Sequence, residues 1–236
     1  MKYIYFVSII LILMGCSDKS SKASNLPRKI ESNRLPYIGH VDVMEYEENG
    51  VKKTDTLFET VSDFDFLNED SVWISNNTFQ NKVWIAEFFF ASCPTICPLM
   101  NGQMSELYSW LQKNKYLDYF QLLSFSIDPL NDTPSALKTF KKSYCKDCSS
   151  WSFLTGDEKE THRLGIESFK IFSGRDEAAE GGYAHSGAFS LVDRKERVRG
   201  VYNITDENGD LNKKEFDRLK KDIVKLMRHE YNIKEL

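Results

Sequence analysis

The passage from Val83-Trp84-Ile85-Ala86-Glu87-Phe88-Phe89-Phe90 into Cys93-Pro94-Thr95-Ile96-Cys97 constrains this chain more than any other stretch. An almost unbroken apolar run of this length reads as a strand buried on both faces. Beyond it, Met100, Met104, Leu107, Tyr108 and Leu111 recur at helical spacing. Pro98 suits the first turn of that helix, where a missing N–H costs nothing. Two thiols therefore sit where a buried strand turns into a helix. The unpaired N–H groups and dipole of the first turn favour thiolate on Cys97. Thiolates held together there can exchange electrons as a disulfide or grip a soft metal ion.

The rest of the chain alternates. Val41 to Tyr46 reads as a strand with a turn at Glu48-Asn49-Gly50, and Phe64 to Ile74 as a hairpin around Asn68-Glu69-Asp70. Gln121 to Ile127 is a second apolar strand. Asp132-Thr133-Pro134 starts a helix that runs to about Tyr144, with an N-cap and a first-turn proline. Trp151 to Leu154 reads as strand and Asp157 to Phe169 as helix. Ala188 to Val192 and Val198 to Tyr202 form a hairpin, and Asn212 to His229 an amphipathic helix. Strands and helices that alternate in this way predict an α/β fold. With 236 residues, 41% of them hydrophobic, the chain can build one sizeable domain. Its net charge of −4 gives no reason to expect nucleic acid as a partner.

The amino terminus differs in kind. Lys2 is followed by apolar residues from Tyr3 to Met14, too short a run to span a bilayer comfortably, and reads as an export signal. Its end, Leu13-Met14-Gly15-Cys16, resembles the lipobox of bacterial lipoproteins, which implies removal of residues 1–15 and lipidation of Cys16. An uncleaved short anchor is the alternative. Both place the domain outside the cytoplasm and tether it to a membrane; the lipoprotein reading makes it a bacterial lipoprotein facing the periplasm. Residues 16–35 are polar and read as a flexible tether, leaving 36–236 as the folded domain.

Strand, cysteine turn, helix and strand, in that order, resemble the opening of a thioredoxin-like fold. Thioredoxins have two residues between the cysteines, and this chain has three. The longer spacer in Cys93-Pro94-Thr95-Ile96-Cys97-Pro98 resembles the SCO/SenC family. So do Asp128-Pro129-Leu130-Asn131-Asp132-Thr133-Pro134, Leu154-Thr155-Gly156, and Tyr183-Ala184-His185-Ser186 followed by Leu191-Val192-Asp193. The resemblance covers roughly residues 36 to 228. It implies an α/β, thioredoxin-like fold, here with an N-terminal hairpin extension. It further implies one copper ion, Cu(I) or Cu(II), held by Cys93, Cys97 and His185. The implied role is assembly of the binuclear copper centre of a respiratory cytochrome oxidase. The partners would be the oxidase's copper-accepting subunit and a copper donor or thiol reductant. Two thiolates suit Cu(I), and an imidazole makes the set usable by Cu(II) as well. Two departures stand out: Asn131 replaces the family's arginine, and Ala184 replaces an aspartate often found before the histidine.

Glu87, six positions before Cys93, matches the spacing of the buried acid of thioredoxins, which exchanges protons with the cysteines; burial would raise its pKa for that work. A salt-bridged glutamate at a strand edge is the alternative. Cys145 and Cys148 follow a helix and are expected to form a local disulfide, as Cys93 and Cys97 can when oxidised; free thiols or an auxiliary metal site remain open for the second pair. His40, His162 and His229 lack any such context and read as surface residues. Asp206-Glu207-Asn208-Gly209-Asp210 is acidic enough for calcium, but Leu211 stands where an EF-hand loop needs glycine, so it reads as a turn. Gly174 to Gly182 reads as a mobile loop before His185. A copper chaperone is thus the leading reading, and a thiol–disulfide oxidoreductase acting on the copper-accepting protein is the runner-up. Peroxidase activity ranks below both, because Thr95 lies two positions before Cys97 where peroxiredoxins place threonine three before.

Overall fold

A hairpin of β1 (Val41–Glu48) and β2 (Val51–Phe58) turns through Asn49 and Gly50, at φ 54° and 76°. Positive φ at both central residues is what a tight hairpin turn requires. Almost every residue of it is exposed, so it stands as the expected extension and adds little to the core. The computed structural model describes residues 34–176 and 183–233. The expected signal segment 1–15, Cys16 and nearly all of the 16–35 tether lie outside the described residues.

A second hairpin, β3 (Asp65–Asn68) and β4 (Trp73–Ser75), leads into β5 (Val83–Phe89), which is buried at every position. Helix α1 (Ile96–Lys113) returns the chain to β6 (Phe120–Ser126), and α2 (Pro134–Tyr144) returns it to β7 (Trp151–Thr155). These crossovers make β5, β6 and β7 parallel. All three are buried end to end, the pattern of sheet covered on both faces. Thr133 caps α2 by accepting the N–H of Ala136, and Pro134 follows in its first turn.

Helix α3 (Glu158–Arg163), capped by Asp157, runs on as a π-helical stretch, Leu164–Phe169. A small ribbon follows, β8 (Ser173–Arg175) against β9 (Tyr183–His185). The chain then re-enters the main sheet as β10 (Ala188–Val192) and β11 (Val198–Asn203) and ends on α4 (Lys213–Lys225), which packs against β11. The seven strands lie in the order β11-β10-β5-β6-β7-β3-β4, with β10 antiparallel to β5. Among the described residues no helix is long and apolar enough to cross a membrane.

One buried cation ties both ends of the domain to the edge of this sheet. Arg199 on β11 is 1% exposed. It donates to the carbonyls of Leu35 and Pro36 at 2.5 and 3.0 Å, to Asp193 at 3.0 Å, and to both carboxylate oxygens of Glu230 at 2.7 and 2.8 Å. Every donor is used, which is the condition under which a buried guanidinium is tolerated.

Candidate metal centre

Cys93 and Cys97 flank the first turn of α1, at the carboxyl end of β5, and both are buried thiols. The Cys93 N–H donates to the Phe90 carbonyl at 3.2 Å, which folds the chain back at the strand's end. The Cys93 sulfur lies 3.5 Å from the Thr95 hydroxyl. Cys97 is the second residue of the helix, and Asn101, one turn on, donates its side-chain amide to the Cys97 carbonyl at 3.0 Å. The expected preference for thiolate on Cys97 is not met in the dithiol. A hydrogen bond with Cys93 and burial both hold the proton on Cys97, against a weaker pull from the Phe90 backbone. The helix dipole acts on Cys97 as a lone thiol, whereas here Cys97 is hydrogen-bonded to a second thiol.

Glu87 is fully buried on β5, between β10 and β6, so the strand-edge salt bridge is excluded by its place in the sheet. Its Oε1 accepts from the Ser124 hydroxyl at 2.6 Å, and Oε2 is buried with no hydrogen-bond partner. Burial raises its pKa to about 8, with the serine hydrogen bond opposing. This is a protonatable acid in the strand that leads into the dithiol turn.

Two further buried acids lie just beyond the end of β6. Asp132 accepts from the Ala91 N–H at 3.0 Å and the Ser126 hydroxyl at 2.6 Å. Burial pushes its pKa up against those hydrogen bonds. Asp128 is buried too and accepts from the Asn131 amide at 2.8 Å, so the asparagine found in place of arginine still engages this acid. Both lie in the Asp128–Pro134 segment that carries the family resemblance, which was the available signal for them.

His185 ends β9, where its backbone pairs with Ser173 of β8. Two residues earlier, Tyr183 packs its ring on Phe90, with centroids 5.3 Å apart. Thus the strand that carries the histidine meets the chain just after β5, three residues before Cys93. The stretch expected to be loop is strand at Gly174 and Arg175, and residues 177–182 lie outside the described residues. Gly187 passes close under the following segment, where a Cβ would collide with the Thr205 side chain. A cavity of about 720 Å³ opens here, with Ile96 of the cysteine spacer, Ser186 and Gly187 after the histidine, and Glu207 and Gly209 of the acidic turn in its wall. Residues 206–210 form a turn as expected, closed by the Asp206 N–H to Asp210 carbonyl bond at 2.8 Å.

Cys145 and Cys148 form the expected local disulfide at the end of α2, with Cα atoms 5.7 Å apart. His40 and His229 are exposed as expected, and His162 is only partly so. It is half-buried on α3, edge-on to Tyr183 at 6.3 Å, with Nε2 enclosed and unbonded. Its helix turns it inward, which no local pattern around it announces.

Comparison with known proteins places these motifs in context. The model of a family described as SCO1/SenC matches residues 52–219. A SCO1 protein homolog of Bacillus subtilis is 36% identical over 155 residues, 65% of this chain and 79% of that protein. A putative copper-binding protein of Stutzerimonas stutzeri is 29% identical over 142 residues, 59% of this chain and 67% of that one. Among solved structures, a SCO1/SenC family lipoprotein from Bacillus anthracis superposes with a TM-score of 0.59 at 29% identity, over 69% of this chain and 94% of its own. BsSco, described as a member of the Sco family of cytochrome c oxidase assembly proteins with a disulfide switch, also has a TM-score of 0.59, at 31% identity, over 71% and 92%.

Proposed function

The chain belongs to the SCO1/SenC family, and from that premise we propose that it is a copper chaperone for assembly of the binuclear copper centre of a respiratory cytochrome oxidase. Cys93, Cys97 and His185 hold one copper ion as cargo. The convergence of two segments carries this reading: the cysteine spacer and the residues after the histidine line one cavity, and Tyr183 packs against Phe90 beside the dithiol. Two sulfurs satisfy Cu(I), and the imidazole nitrogen adds the harder donor that Cu(II) requires. A similar protein is described as copper-binding, and another as an oxidase assembly protein. The cargo passes to the oxidase's copper-accepting subunit by exchange of ligands, and a copper donor or thiol reductant reloads the site.

The amino terminus supports export. Residues 1–15 serve as a lipoprotein signal, Cys16 carries the lipid, residues 16–35 are the tether, and 36–236 face the periplasm. A structural relative is itself described as a lipoprotein. Copper titration of the reduced protein tests the main reading: one Cu per chain is expected, and no binding at micromolar copper overturns it.

A second reading has its own observation. Glu87 is a buried acid whose pKa lies near neutrality, suited to accept a proton from a thiol during thiol–disulfide exchange. In that reading Cys93 and Cys97 reduce a disulfide of the copper-accepting protein and become a disulfide themselves. A reduction potential low enough to reduce that partner favours it; a potential too high for reduction, with tight copper binding, favours the chaperone.

A further inference from the structure

Among the described residues, no strand pairing joins the β8–β9 ribbon to the main sheet. It has three residues on each side, and an isolated two-stranded ribbon of that size is marginal in water. Backbone bonds at Ile171 and Gly187 anchor its inner end, and side chains must hold the outer end, where Tyr183 pairs with Arg175. Ala184 offers no polar side-chain atom. Tyr183, its neighbour, makes four kinds of contact. Its ring packs on Phe90 at 5.3 Å and meets the edge of His162 at 6.3 Å. The Arg175 guanidinium lies over it at 5.6 Å and is itself fixed by Glu158 at 2.9 Å. Its hydroxyl reaches Asp128 at 3.4 Å, a long hydrogen bond to an acid already held by Asn131.

We infer that Tyr183 is a positioning residue for His185, a clamp that sets the histidine-bearing strand against Phe90 and so against the dithiol turn. The contact chain is short: His185 lies two residues from Tyr183, Tyr183 packs on Phe90, and the Phe90 carbonyl accepts the Cys93 N–H. An aromatic pair between two flat rings restricts rotation and sliding together, as one aliphatic contact would not. The ring contact is the larger part of the clamp, and the long hydrogen bond to Asp128 is the smaller. The inference rests on the reading of His185 as a copper ligand, and the test separates the two.

Tyr183→Ala and Tyr183→Phe are compared with the parent protein by two measurements. The first is amide hydrogen exchange in the reduced, metal-free protein at Ser186, whose N–H donates to the Phe172 carbonyl at 2.9 Å. Tyr183→Ala is expected to speed it by about two- to tenfold, the range an aromatic pair supplies, and Tyr183→Phe by much less. The second is copper. Tyr183→Ala should weaken Cu(II) and its thiolate absorption band by a similar factor, leaving Cu(I) affinity and the dithiol reduction potential within about twofold. Unchanged Ser186 exchange in Tyr183→Ala, or equal effects in both variants, overturns the clamp. Faster exchange with an unaltered Cu(II) band upholds the clamp and overturns His185 as ligand.

Discussion

Glu87 and Ser124 face each other across parallel strands β5 and β6, the serine hydroxyl donating to the carboxyl at 2.6 Å. Ser124 also accepts the Trp151 indole N–H at 2.9 Å, so its own proton is committed to Glu87. One hydrogen bond is too little to compensate full burial of a charge, and the carboxyl keeps its proton to about pH 8. Folding therefore raises its proton affinity above the ordinary carboxyl value of 4.5. The stability this group confers is complete below that value and is lost as pH rises through about 8. Glu87→Gln should flatten the decline in stability between pH 5 and 9. Urea unfolding across that range checks it, and an unaltered slope in the variant would place the titration elsewhere.

Oxidation of Cys93 and Cys97 to a disulfide should abolish copper binding, because a disulfide offers no thiolate. Titration of the fully oxidised protein with Cu(I) measures this directly. One-to-one binding under those conditions would show that the ligands lie elsewhere.

Replacement of both Cys145 and Cys148 by serine should leave copper stoichiometry at one. The bridge closes only a short loop, so its loss should lower stability by roughly 2 kcal/mol. Calorimetry and copper titration of the double variant give both numbers, and loss of the ion would make this pair the functional dithiol.

His185→Ala should eliminate stable Cu(II) binding and weaken Cu(I) less, since Cu(I) is satisfied by two thiolates. Disulfide formation between Cys93 and Cys97 should persist. The readout is the thiolate-to-Cu(II) absorption band, and a band of wild-type position and intensity would remove His185 from the ligand set.

Much of this architecture was legible because its signals are local. The apolar run of β5, the spacing of Met100, Met104 and Leu107, the Thr133-Pro134 cap and the Asn49-Gly50 turn each act within a few residues, and each element formed where expected. What escaped was set by distant contacts. Ser173-Gly174-Arg175 has no strand pattern and becomes strand only by pairing with Tyr183–His185. His162 meets the ring of a tyrosine 21 positions away. The proton on Cys97 depends on Cys93 rather than on the helix beneath it. At the site itself, residue identity was readable from motif order, whereas Tyr183 entered the sequence reading only as a neighbour of His185. Its role depends on Phe90, 93 positions earlier in the chain.

Arg199's grip on the Leu35 and Pro36 carbonyls also sets a direction. Its partner Asp193 directly follows Val192, which pairs with Trp84 near the start of β5, and Cys93 lies beyond that strand's other end. The guanidinium thus fastens the incoming chain about 17 Å of strand away from the end where the thiols sit. A pull on the chain ahead of Leu35 would be borne by Arg199, Glu230 and Asp193, at the opposite pole from the Tyr183–Phe90 contact.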